Sequence, residues 1–157
     1  MKIFVTIGTA LPFDRLIKEL DDVTGKNKWT VNAQIGNSTC EPNNFKATFQ
    51  FLKPSDLKKE IDSAEVVVMH AGVGTILDLI NIDRKCVLVP RLKQFGEAVD
   101  DHQLQICKEL EKQGAVVCYD MENLEKSIKK AKPLSKIDPK EYKQLKSNIN
   151  KYIDSFI

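Results

Sequence analysis

The residues best equipped for chemistry lie between positions 70 and 103. His70-Ala71-Gly72-Val73-Gly74-Thr75 follows an apolar run and opens a helical stretch. Glycines let backbone approach a ligand with no Cβ in the way. A helix start adds unpaired N–H groups and the positive end of the dipole, a setting that suits a phosphate. Thr75 can add a hydroxyl donor and His70 a ring N–H. The same residues also make an ordinary tight strand–helix turn around a satisfied core histidine, and the motif alone does not choose. Asp78 is open to two readings as well. It completes a capping box, Thr75-x-x-Asp78, or it accepts from both hydroxyls of a ribose.

A second polar cluster begins at Pro90-Arg91 and continues through Phe95-Gly96-Glu97-Ala98-Val99-Asp100-Asp101-His102-Gln103. His102 and Gln103 can donate to and accept from sugar hydroxyls. The acidic members equally complement a helix dipole, and Arg91 equally forms a surface salt bridge. Other chemistries are excluded. There is no GxxxxGK[ST] and no GxSxG, so neither a P-loop nor a nucleophile elbow. Gly72-Val73-Gly74-Thr75-Ile76-Leu77 begins like a dinucleotide fingerprint, but its sixth position is Leu and it follows the fourth strand. With only His70 and His102 there is no multi-histidine metal site, and adjacent Asp100-Asp101-His102 on a helix start point in different directions. Cys40, Cys86, Cys107 and Cys118 form no CxxC pair and read as reduced, three of them among apolar neighbours.

The positioning elements are strands and helices in alternation. Ile3–Ile7, Trp29–Ile35, Phe45–Leu52, Glu65–Met69, Cys86–Val89 and Ala115–Tyr119 read as six strands. Between them, helices are expected over Phe13 to about Asp22, from Pro54 to about Asp62 with Ser55 as cap, over Thr75–Ile82 and Ala98–Gln113, and finally over Glu122–Ala131. This pattern predicts a doubly wound α/β fold with a mostly parallel six-stranded sheet, Rossmann-like, covered on both faces. Ligands bind such sheets beyond the carboxyl ends of the strands, so the loops after strands one, four and five matter most.

At 157 residues the chain is one domain's worth, with 24 Lys and Arg against 22 Asp and Glu. A net charge of +2 gives no global field for nucleic acid. Apolar runs such as Val66–Met69 fall far short of the ~20 residues of a membrane span. Met1-Lys2-Ile3-Phe4-Val5 enters a strand without a signal-peptide layout, so a cytosolic domain is expected. From Pro139 to Ile157 the residues Tyr142, Leu145, Ile149, Tyr152, Ile153 and Phe156 recur at helical spacing, among lysines. Between Glu122 and Ile157 nine lysines face five acids. This C-terminal amphipathic helix reads as packed on its own domain or docked on a partner or anionic membrane surface.

The block from His70 to Gly114, with His-Ala-Gly-x-Gly-Thr, Val-Leu-Val-Pro-Arg and Gly-Glu-Ala-Val-Asp-Asp-His-Gln, resembles the C-terminal domain of family 28 glycosyltransferases. Phe4-Val5-Thr6-Ile7-Gly8-Thr9 and Pro12-Phe13-Asp14-Arg15-Leu16 add to the likeness, which extends over nearly the whole chain. It is similar in particular to short, single-domain members, the catalytic subunit of the two-part dolichol-pathway GlcNAc transferase and bacterial PssE-type exopolysaccharide proteins. The resemblance implies the C-terminal, donor-binding half of a split GT-B enzyme that binds a UDP-sugar. A membrane-associated partner subunit would supply the acceptor half, with a lipid-linked sugar as acceptor and no nucleic acid involved. It places the His70–Thr75 loop at the diphosphate, Asp78 at the ribose diol (relatives often have Glu there), and His102 and Gln103 at the donor sugar. Gly8 and Thr9, after strand one, would face the same cleft, with Arg91 beside it. No cofactor or metal is expected. Inverting displacement needs a general base, for which His70 or a carboxylate of residues 97–101 is a candidate. The C-terminal helix becomes interface as well as packing, and the domain is expected at the cytoplasmic face of a membrane through its partner. A non-catalytic enhancer subunit and an unrelated nucleotide-binding module are the competing readings.

Overall fold

Ile3, Phe4 and Val5 are buried in β1 (Lys2–Thr6), where β-branched and aromatic side chains suit a strand covered on both faces. The computed structural model describes residues 1–80 and 83–134 together with 140, 143, 144, 147, 148 and 151, and only the backbone of Asp78. The other elements are α1 (Asp14–Asn27), β2 (Thr30–Gln34), β3 (Ala47–Phe49), α2 (Pro54–Ser63), β4 (Val66–His70), α3 (Val73–Ile80), β5 (Lys85–Val89), α4 (His102–Lys112), α5 (Leu124–Lys129) and β6 (Lys132–Pro133). Single 3₁₀ turns lie at Lys93–Phe95 and Met121–Asn123.

The sheet order is β3-β2-β1-β4-β5-β6. All pairings are parallel except β5 with β6. Ile3 lies opposite Val31 on one side and Val66 on the other. Strand alternation sends Phe4, Val67, Met69 and Leu88 into a core under α2, α3 and α4. Ile3, Val5, Val66, Val68, Val87 and Val89 face the opposite core, under α1 and α5. The doubly wound, mostly parallel six-stranded sheet is therefore as expected.

Its sixth strand is not. Ala115–Tyr119 forms only an isolated parallel bridge at Val117, through Leu88 N–H to the Val116 carbonyl (2.9 Å) and Cys118 N–H to the Leu88 carbonyl (2.8 Å). The first half of that β5 edge is occupied by β6, antiparallel, with Lys132 opposite Cys86 and Pro133 opposite Lys85. Two short segments share one edge, and Pro133 has no N–H to extend its ladder.

Other boundaries move for local reasons. β3 keeps only the middle of the Phe45–Leu52 alternation. α1 runs past Asp22 to Asn27 and ends at Lys28 in the left-handed region (φ 52°). Pro54 occupies the first turn of α2 and Lys53 is its cap, so Ser55 lies inside the helix. α3 starts at Val73, earlier than Thr75; Asn81 and Ile82 lie outside the described residues. α4 starts at His102 instead of Ala98, because the 3₁₀ turn and left-handed Gly96 (φ 68°) use the preceding residues as a polar loop. Within the C-terminal helix expected over Pro139–Ile157, the described residues Lys140, Lys143, Gln144, Ser147, Asn148 and Lys151 are helical, while its stripe of Tyr142, Leu145, Ile149, Tyr152, Ile153 and Phe156 lies outside the described residues. Among those described, no helix is long and apolar enough to cross a membrane.

Candidate functional site

From β1 the chain builds β2 and β3 to one side, then returns to place β4 and β5 on the other. The strand order therefore reverses between β1 and β4, and beyond their carboxyl ends a cleft of about 420 Å³ opens. Its walls come from the loop after β1 (Ile7, Gly8, Thr9, Ala10, Leu11), the β4–α3 turn (His70, Gly72, Gly74, Thr75) and the loop after β5 (Arg91, Glu97, Ala98, Val99, Asp100, Gln103). Thr6 and Gln34 form part of the floor, the Gln34 amide donating to the Thr6 hydroxyl (3.3 Å) and accepting from Leu52 N–H (2.9 Å).

His70 ends β4 and fills a slot between two glycines. A Cβ on Gly8, whose φ is +73°, would sit 2.6 Å from His70 Cε1, and one on Gly72 would collide with Nε2. These glycines are required by the imidazole, a protein-internal reason. Gly74 is different. A Cβ there would meet nothing within 4 Å, and its φ is not positive. The first turn of α3 thus leaves open space beside Gly74, on the cleft wall and at a position where glycine costs helix stability.

The His70 Nδ1 is buried with no hydrogen-bond partner. Burial, then the positive charge of Arg91, push the imidazole down to about 4 against an ordinary 6.5, with the Thr6 backbone opposing. His70 is neutral at pH 7. It offers a weakly basic ring edge rather than a proton acceptor tuned to that pH.

Arg91 lines the cleft but departs from the expectation of a surface salt bridge. It is 3% exposed, and its guanidinium donates to the carbonyls of Ile7 (2.6 Å), Pro12 (2.7 Å) and Glu97 (3.3 Å). Three of its five N–H donors go to backbone carbonyls, so it braces the wall. Burial lowers its hold on the proton and Glu97 counters that, and the guanidinium stays charged.

Glu97 is likewise committed. Its two oxygens accept from Arg15 Nε (2.7 Å) and Nη2 (2.9 Å), and Oε2 also takes Leu92 N–H (3.1 Å). Arg15 lies over the Phe95 and Phe13 rings, 4.7 and 5.4 Å from their centroids, and Arg91 lies 5.0 Å from Phe13. The sequence reading missed this pair. Its signal was Arg15 in the first turn of α1, the wrong end of a helix dipole for a cation unless an acid stands close.

Of the residues expected at the site, Gly8, Thr9, His70, Gly72, Gly74, Thr75, Arg91 and Gln103 all line the cleft. His102 does not. Its Nδ1 lies 2.9 Å from Asp100 Oδ1 at the start of α4. The Asp78 side chain lies outside the described residues, which leaves both readings of it where the sequence put them. Among the described residues no three His, Cys, Asp or Glu gather as a metal cage.

Comparisons with known proteins bear on this arrangement. The chain is 31% identical over 122 residues to the human UDP-N-acetylglucosamine transferase subunit ALG13, a match covering 71% of this chain and 10% of that protein. The ALG13 subunit of Yarrowia lipolytica is 30% identical over 122 residues, covering 70% of this chain and 60% of the relative. The chain thus spans only part of the length of these relatives. An NMR solution structure of ALG13 superposes with a TM-score of 0.62 at 18% identity, covering 92% of this chain and 94% of that one, which supports the fold. The family model of the glycosyltransferase family 28 C-terminal domain matches residues 2–154, and the chain belongs to that family.

Proposed function

We propose that the chain is the donor-binding subunit of a two-component inverting glycosyltransferase, moving GlcNAc or another hexose from a UDP-sugar to a lipid-linked acceptor. The observation that carries this is the vacant space at Gly74, where a helix N-terminus faces a cleft at the reversal of strand order. The diphosphate would lie against the first turn of α3 within reach of Thr75, with Asp78 on the ribose diol and Gln103 toward the sugar. In the transfer, an acceptor oxygen attacks the anomeric carbon as the bond to the diphosphate breaks. UDP leaves with the electron pair, stabilised by the helix start, and the acceptor proton passes to a base. That base is assigned to the partner subunit. In this chain His70 holds its proton too weakly, Glu97 is tied to Arg15, Asp100 accepts from the backbone N–H and Nδ1 of His102, and Asp101, outside the cleft lining, accepts from Lys93 N–H. Exposed Leu11 and Val99 on the rim, 40% and 80% exposed, suit a partner or an apolar-tailed acceptor. A membrane-associated partner would bring the chain to a cytoplasmic membrane face.

The test is calorimetric titration with UDP, UDP-GlcNAc and UDP-galactose, for the chain alone and co-expressed with its partner. Uridine binding weakened by Asp78→Ala is expected. No binding in either format, or an adenine dinucleotide binding better than UDP, rejects the reading. The spent bases also favour a second reading, a non-catalytic enhancer. A reconstituted pair that keeps its turnover with Gln103→Ala would support it.

A further inference from the structure

We infer that Arg91 is a positioning residue of the cleft: its buried side chain sets the β1 loop against the β5 loop, and its backbone N–H orients Gln103. The role in ligand binding rests on the donor-site reading above; the role in loop geometry stands on its own. Ile7 and Pro12 flank Gly8–Leu11, and one guanidinium draws both their carbonyls to itself at 2.6 and 2.7 Å. The four residues between must arch outward as the lip of the cleft. Asn37 holds the arch from the other side, donating to the carbonyls of Thr9 (3.2 Å) and Ala10 (2.5 Å). The third carbonyl, from Glu97 at 3.3 Å, ties the opposite wall to the same group. A lysine ammonium, a single compact nitrogen, cannot reproduce this three-way geometry.

The link to Gln103 fixes a polarity. Gln103 Oε1 accepts from Arg91 N–H at 3.1 Å. A backbone N–H only donates, so the amide oxygen must be the atom facing it and the NH₂ is the free end. Gln103 therefore offers the cleft donors. The ligand group it meets is an acceptor, such as a phosphoryl oxygen, a carbonyl or a hydroxyl lone pair.

The experiment is NMR on the isotope-labelled full chain, with heteronuclear NOEs for Gly8–Leu11 and for the Gln103 side-chain NH₂, assigned by its loss in Gln103→Glu. Calorimetry with UDP-GlcNAc runs alongside. Wild type should be ordered at both places. Arg91→Lys should lower the NOEs at Gly8–Leu11 and Gln103 selectively and weaken UDP-GlcNAc by about tenfold or more. Arg15→Gln should loosen the Lys93–Glu97 turn while the arch stays ordered. Unchanged order in Arg91→Lys, or loosening spread evenly along the chain, overturns the proposal. If Arg91→Lys does not fold, Arg15→Gln decides: an arch that loosens there assigns the job to the Arg15–Glu97 pair and overturns it, and an ordered arch supports it. A wild type that binds no UDP-GlcNAc sinks the donor reading, while the NOEs still judge the positioning.

Discussion

Gly72 and Gly74 stand two residues apart and differ: a Cβ on Gly72 would strike the His70 ring, while one on Gly74 would meet nothing within 4 Å. Gly74→Ala adds a methyl to open space in a helical position, so it should stabilise the fold by about 0.5–1 kcal/mol. The same methyl intrudes where the diphosphate would lie, so UDP affinity should fall by about tenfold or more. Thermal melts and calorimetry on one preparation read both effects, and unchanged affinity would remove the ligand from this turn. Gly72→Ala should instead destabilise, and His70→Ala should relieve it. A double-mutant cycle by urea unfolding should give a coupling of about 1 kcal/mol or more between them. His70 also carries a pH signature. Its pKa is depressed in the fold to about 4 from an ordinary 6.5, so the unfolded chain binds the extra proton first. The contribution is complete above pH 6.5 and is lost as pH falls through about 4, on the order of 3 kcal/mol. The stability difference between wild type and His70→Asn, followed by urea unfolding from pH 7 to pH 4, should shrink accordingly.

At the scale of elements, the start of α1 and the loop after β5 are joined by a carboxylate–guanidinium pair with little water around it. Arg15 and Glu97 are 20% and 7% exposed at their side chains. Arg15→Ala leaves a buried carboxylate unpaired and should cost about 3 kcal/mol, read by urea unfolding. Replacing both, Arg15→Met with Glu97→Leu, should return much of that stability, because the buried charge is then gone as well. Periodicity located all the strands but the last: β1, β4 and β5 carry apolar residues buried on both faces, and β2 and β3 fall within an apolar-rich run and a period-two alternation. It misplaced the sixth because Ala115–Tyr119 and Lys132–Pro133 compete for one edge of β5, a contest between residues far apart in sequence. The start of α4 was misread for a similar reason. Glu97, Asp100 and Asp101 suit a helix's first turn, yet their carboxylates are drawn to Arg15, Leu92, His102 and Lys93 instead.

At the scale of the whole molecule, the described residues form one sheet between two apolar layers, and both layers draw side chains from β1, β4 and β5. Unfolding should therefore be a single cooperative transition, with Trp29 fluorescence and far-UV circular dichroism giving coincident urea midpoints. Two separate transitions would divide the chain into independent units. At this scale the sequence by itself determined the fold class and the family. Alternating apolar periods, and glycines and polar residues at the ends of strands, are local properties that dictate strand, helix and ligand-facing turn. It also picked out most of the cleft's lining, since Gly8 and His70 lie at the carboxyl ends of strands and Gly74, Thr75 and Gln103 in the first turns of the helices that follow. Only the tertiary structure decided what each of them does. Whether a glycine answers to an imidazole or to empty space, whether an arginine meets a ligand or three carbonyls, and whether a carboxylate remains available as a base depend on groups brought together across 80 residues or so of chain. Those distances are set by packing, which no local pattern contains.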